Sequence, residues 1–107
     1  MNDTIKELVE VIKQRKISKS DKSYTCMLLN KGLDACTKKL EEEFFEFKEA
    51  VKDKKNINHE GADLIYHLLV TLESANVKFE DILNELEATF SRFCCGRVHP
   101  EHNFLLL

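Results

Sequence analysis

Four carboxylates in two matched pairs are the residues of this 107-residue sequence best suited to chemistry. Glu43 and Glu46 stand three positions apart, as do Glu60 and Asp63, with thirteen residues between the pairs. An i, i+3 spacing puts both side chains on one face of a helix. Two such helices packed antiparallel would gather four carboxylates around one pocket, with Glu42 available as a fifth. Like charges ~4 Å apart repel by about 4 kcal/mol at an effective dielectric of ~20. An empty cluster is therefore costly, and a hard cation with an all-oxygen shell, Mg²⁺ or Mn²⁺, relieves that cost. None of the four positions is Cys or His, which disfavours zinc. Because Mg²⁺ keeps some waters and recruits substrate phosphates, the ligand expected is one that bears phosphate.

Each candidate also has an ordinary reading. A run such as Glu41-Glu42-Glu43 on its own describes a solvated helix face. The second acidic pair, placed on a segment that is apolar elsewhere, moves the balance toward a metal site. His67 continues the line of Glu60 and Asp63 by one turn, with Thr71 and Ser74 beyond. It suits a satisfied core histidine as well as a substrate contact. Lys39 alone reads as a surface lysine, and Tyr66 as core.

The elements that must position these groups are helical. Only three Gly and one Pro occur, the Pro at position 100, which argues for an all-α bundle rather than a turn-rich β fold. Five helices are predicted. The first spans about Asp3 to Arg15, with Asp3 as its cap. After the polar stretch Ser18–Ser23, a short one spans Tyr24 to Asn30 and stops at Gly32. The third, Leu33 to about Lys54, has an apolar stripe of Leu33, Cys36, Leu40, Phe44, Phe47 and Val51, expected to be its buried face. The fourth, His59 to Ala75, is apolar almost all round, so burial on most sides is expected, with Asn76 as its left-handed end. The fifth, Phe79 to Phe93, is expected to bury Phe79, Ile82, Leu83, Leu86 and Phe90. Residues 1–93 thus form one helical domain, and 94–107 a tail expected to be disordered or to serve an interface.

Composition excludes several classes. A net charge of −3 gives no basic face for nucleic acid, and no apolar run reaches the ~20 residues that span a bilayer. The N-terminus has no signal-peptide core, so a cytoplasmic protein is expected. Cys26, Cys36, Cys94 and Cys95 make a poor disulfide framework, which points to reduced thiols.

The spacing Glu43-x-x-Glu46 to Glu60-x-x-Asp63 resembles that of the MazG-like all-α nucleotide pyrophosphohydrolases. Within that superfamily, the segments Ser23–Gly32, Lys38–Glu43 and Glu60–Val70 resemble the phosphoribosyl-ATP pyrophosphohydrolase family over roughly residues 3–93. The resemblance implies a helical bundle acting as a homodimer or higher oligomer. It implies Mg²⁺-dependent hydrolysis of phosphoribosyl-ATP to phosphoribosyl-AMP and pyrophosphate, the second step of histidine biosynthesis. By position, Glu43, Glu46, Glu60 and Asp63 would hold the metal, and Glu42 would add a ligand or orient water. Lys39 would meet the polyphosphate, and the Ser23–Thr25 loop would help close the substrate site. For the distal phosphate of that substrate, the Ser18–Thr25 loop is the expected contact, through Lys19, Lys22, Ser23 and Tyr24.

The chain departs from the family pattern at Glu41, Phe44, Phe45, Lys48 and Glu49, where small or apolar residues are usual, and Lys78 stands where a capping Ser is common. Phe45, on the outer face, is expected to mark a subunit contact. Two alternatives use the same residues. One is a housecleaning nucleoside triphosphate pyrophosphohydrolase, against which the Ser23–Gly32 segment counts. The other is a non-catalytic metal-binding adaptor, with Cys94, Cys95, His99 and His102 as zinc ligands, though their spacing is too tight for an ordinary finger.

Overall fold

The five helices are present in the computed structural model, which describes residues 3–18 and 22–94. They are α1 (Asp3–Ile17), α2 (Tyr24–Lys31), α3 (Leu33–Asp53), α4 (Ile57–Ser74) and α5 (Phe79–Cys94). No strand occurs among the described residues. Helices α1 to α4 belong to one unit that runs to Val77, and α5 belongs to a second that starts at Lys78. The proposed zinc ligands Cys95, His99 and His102, and Lys19 of the substrate loop, lie outside the described residues.

Local chemistry sets the corners. Ser23 caps α2, its hydroxyl accepting from the Cys26 N–H at 3.0 Å. Gly32 then serves both as the end of α2 and the start of α3, at φ 100°, ψ 178°, a conformation open to glycine alone. Two residues with left-handed φ, Lys54 and Asn56, turn the chain between α3 and α4. Asn76 (φ 62°) follows the end of α4 as expected. There Lys16 from α1 donates to the Glu73 carbonyl at 2.9 Å, placing a cation at a helix C-terminus.

The core of the first unit is small: Ile12, Cys26, Leu28, Cys36, Ala50, Leu69 and Val70 are its buried apolar residues. α3 and α4 form a hairpin with the most extensive contact in the chain. Here the orientation of α3 differs from expectation. Its buried line is Cys36, Glu43 and Ala50, at intervals of seven, whereas Leu33, Phe44 and Val51 are exposed. At ~100° per residue the helix is rotated by roughly 60° from its apolar stripe, and that rotation carries Glu43 inward. Likewise α4 is not buried on most sides, since Ile65 and Leu68 are exposed. With one broad neighbour in α3 and narrower ones in α1 and α2, its outer flank stays uncovered.

In the second unit α5 has the predicted amphipathic pattern, yet Ile82, Leu86 and Phe90 are exposed rather than buried. An apolar stripe determines which face favours burial; it does not supply the surface that covers it.

Candidate metal centre and its surroundings

The α3–α4 hairpin brings one member of the first acidic pair against both members of the second. Glu43, Glu60 and Asp63 each offer an oxygen, and these oxygens lie within 4.8 Å of one another. Glu43 is 5% exposed, an unusual burial for a glutamate. Glu43 Oε1 and Glu60 Oε1 are both buried without a hydrogen-bond partner. Unpaired buried carboxylate oxygens are expensive, and two beside a third carboxylate form a set of hard oxygen donors awaiting a positive charge.

The outer atoms of this group have basic side chains beside them. Lys39 Nζ lies 3.6 Å from Glu43 Oε2 and 3.3 Å from Glu42 Oε1. His59, not anticipated from sequence, places Nε2 3.5 Å from Asp63 Oδ2 across one turn of α4. Its i, i+4 spacing to Asp63 was the available signal. The Glu60 carboxyl is pushed above its ordinary pKa, first by desolvation and next by the charge of Glu46, with His59 opposing. The Lys39 ammonium is pushed up, chiefly by its hydrogen bond to Glu42.

Glu46 is exposed, one turn beyond Glu43, and stands outside the three-carboxylate group. It shares with Glu60 a groove of about 410 Å³, lined also by Glu49, Asp53, Lys55 and Asn56. Glu42 is exposed, held by Lys39.

At His67 three aromatic rings meet, its own and those of Tyr24 and Tyr66. The Tyr66 ring meets His67 edge-on at 4.8 Å, and the Tyr24 ring meets His67 edge-on at 5.9 Å. Thr25 and Tyr66 share a hydrogen bond between their hydroxyls. His67 is buried with Nδ1 unpartnered, and burial lowers its pKa, against the pull of Glu43. Both readings of His67 therefore persist in part: it is in the core, but it is not satisfied. Tyr66 also holds its proton more firmly through burial. Lys22 is exposed just before the Ser23 cap, and no ion pair joins it to another described residue. Beyond Tyr24 a second groove, of about 360 Å³, runs between α2 and α3 and is lined by Lys31, Lys38 and Lys39. Lys31 was not singled out from sequence, because Gly32 breaks the helical register that would connect it to Lys38.

Such an arrangement can hold a divalent cation between acids, present an ammonium beside it, and offer aromatic edges to a planar ligand. Comparison with known proteins gives the same direction. Residues 5–90 match the family model described as phosphoribosyl-ATP pyrophosphohydrolase. A phosphoribosyl-ATP pyrophosphatase of Vesicomyosocius okutanii is 44% identical over 92 residues, 84% of this chain and 88% of that protein. One from Halobacterium salinarum is 41% identical over 92 residues, covering 81% and 97%. One from Lactiplantibacillus plantarum is 44% identical over 99 residues, covering 91% and 93%. No solved structure matches the chain.

Proposed function

The chain belongs to the phosphoribosyl-ATP pyrophosphohydrolase family, and from that premise we propose how its residues carry out the family's reaction. The reaction is hydrolysis of phosphoribosyl-ATP to phosphoribosyl-AMP and pyrophosphate, in histidine biosynthesis. The observation that carries the site assignment is the meeting of Glu43, Glu60 and Asp63 with two buried, unpartnered oxygens.

Those three side chains fit Mg²⁺, or Mn²⁺, and would hold it, with the exposed Glu46 completing or steadying the shell. A cation bound there supplies Lewis acidity to the phosphoryl oxygens and lowers the pKa of water. The chain's own groups do the rest. Lys39 offsets charge that develops on the departing pyrophosphate as the bond between the α and β phosphates breaks. Glu42, held by the same ammonium as Glu43, orients the attacking water and accepts its proton. Tyr24, Thr25 and His67 bound the nucleotide side, and Ser23 fixes the start of α2 that carries Tyr24. Lys22 reaches the substrate's periphery from that same end.

A homodimer is the assembly that best suits the surface. Leu40, Phe44, Leu64 and Leu68 give a mostly apolar surface to a groove of about 800 Å³, lined also by Asp34, Thr37, Lys38 and Glu41, and Phe44 and Leu68 are exposed. Phe44→Glu should dissociate the dimer in sedimentation, and an unchanged mass would reject this face. No described helix is long and apolar enough to cross a membrane. The buried free thiols of Cys26 and Cys36, together with a biosynthetic nucleotide substrate, support a cytoplasmic location.

The deciding experiment is pyrophosphate release from phosphoribosyl-ATP and from a panel of nucleoside triphosphates, with and without Mg²⁺. Strong preference for phosphoribosyl-ATP, dependent on Mg²⁺, is expected. Equal turnover of ATP or dUTP would replace this function with the housecleaning alternative.

A further inference from the structure

The groove between α2 and α3 has the opposite charge from the carboxylate centre. Lys31 enters it from the end of α2, and Lys38 and Lys39 from α3. Its one carboxylate among the described residues, Glu42, is already bonded to Lys39. Lys31 and Lys38 make no ion pair with another described residue. A lysine at the end of α2 also offsets that helix's dipole, but this explains one residue and not the convergence of three. Tyr24 lines the groove and is also within electrostatic reach of Glu43 and Lys39. Lys39, which lines the groove with Glu42, lies 3.6 Å from Glu43, so the groove adjoins the carboxylate centre. Along α3, Lys38 stands five positions before Glu43, ~7.5 Å in axial rise.

We propose that Lys31 and Lys38 form the subsite for the phosphate monoester on the second ribose of phosphoribosyl-ATP; this rests on the function proposed above. The substrate carries two separate anionic ends. At the triphosphate end, charge is met by the cation of the carboxylate centre and by Lys39. The monoester lies away from that cation, so its dianion must be met by protein ammonium groups. Of the three lysines that line the groove with Tyr24, Lys31 and Lys38 are the two without an ion pair to another described residue. An ordinary nucleoside triphosphate has nothing to place between them, so the pair selects the phosphoribosylated substrate.

The test is steady-state kinetics of the full chain and of Lys31→Ala/Lys38→Ala with phosphoribosyl-ATP, with ATP as competitive inhibitor. For the double variant, kcat/KM for phosphoribosyl-ATP should fall about tenfold to a hundredfold, mostly through KM. Its ATP inhibition constant should stay within about twofold, since ATP never used the subsite. Lys31→Arg/Lys38→Arg should recover most of the loss. Equal weakening of phosphoribosyl-ATP and ATP would assign the groove to the polyphosphate and overturn the proposal. No change in either would reduce it to two solvated lysines and overturn it as well. Absence of phosphoribosyl-ATP turnover in the unaltered chain would overturn the parent function too, which separates the two failures.

Discussion

Two of the grooves that α3 lines are similar in size, about 410 and 360 Å³, and opposite in charge. Toward the C-terminal half of α3, Glu46, Glu49 and Asp53 join Glu60 around a single Lys55. Toward its N-terminal half, Lys38 and Lys39 join Lys31 around a single Glu42. Between them stands buried Glu43, with one oxygen near Lys39 and the other unpartnered. A chain whose net charge is −3 therefore contains a local cationic surface. Whole-chain charge argues against a nucleic-acid face, but it averages away a groove lined by three lysines. The acidic side is costly when empty and suits a cation; the basic side is stable in water and suits a mobile anion.

The strongest way to break this contrast is at its centre. Glu43→Gln and Asp63→Asn should each lower kcat by at least on the order of a hundredfold, because each removes a charge from the cation's shell. Melting of the cation-free Asp63→Asn protein should not be lowered, since a repulsive neighbour has gone. Near-normal pyrophosphate release by either variant would dissolve the acidic site.

Lys39 links the two sides, and Lys39→Met should cost about tenfold to a hundredfold in kcat/KM. Unlike the Lys31 and Lys38 changes, it should also weaken ATP as an inhibitor. A selective effect on phosphoribosyl-ATP alone would move Lys39 into the distal subsite. A smaller loss, about tenfold, is expected for Glu46→Gln, because this carboxylate is exposed and outside the close group. If its loss matched that of Glu43→Gln in the same assay, the shell would need four equal members.

The mildest effect is on stability against pH. Glu60 is held above its ordinary value near 4.5 by desolvation and then by Glu46. A raised folded-state pKa contributes stability that is complete below the unfolded value and lost as pH rises through the folded one. Cation-free protein should therefore lose some melting temperature through this group as pH rises from about 4.5 toward neutrality. Glu60→Gln should flatten that slope, and saturating Mg²⁺ should offset it by binding the native state. An identical slope in the variant would mean that Glu60 is not the strained carboxyl.

Much of this was legible in the residues. The helix starts and stops are within about two positions of those read from caps and periodicity, as at Ile17 and Ile57. The two carboxylate pairs were visible as i, i+3 doublets, and three of their four members do converge. The inward turn of Glu43 was not visible. Apolar spacing favours turning Phe44 and Val51 inward, whereas the structure leaves both exposed and buries Glu43. Lys31 was missed for a related reason, since it acquires meaning only from Lys38 on the next helix, whereas His59 was legible from its i, i+4 spacing to Asp63.

By itself, the sequence determined the all-helical content, the faces on which Glu43, Glu46, Glu60 and Asp63 lie, and the helix end at Gly32. These are local properties, set by dihedral preferences and by a period of 3.6 residues. Only the tertiary structure decided that α3 rotates its acid inward, that Glu46 stays in water, and that Lys31 and Lys38 line one groove. Such outcomes depend on how whole helices pack, and packing is set by the summed contacts of many side chains rather than by the spacing of any few.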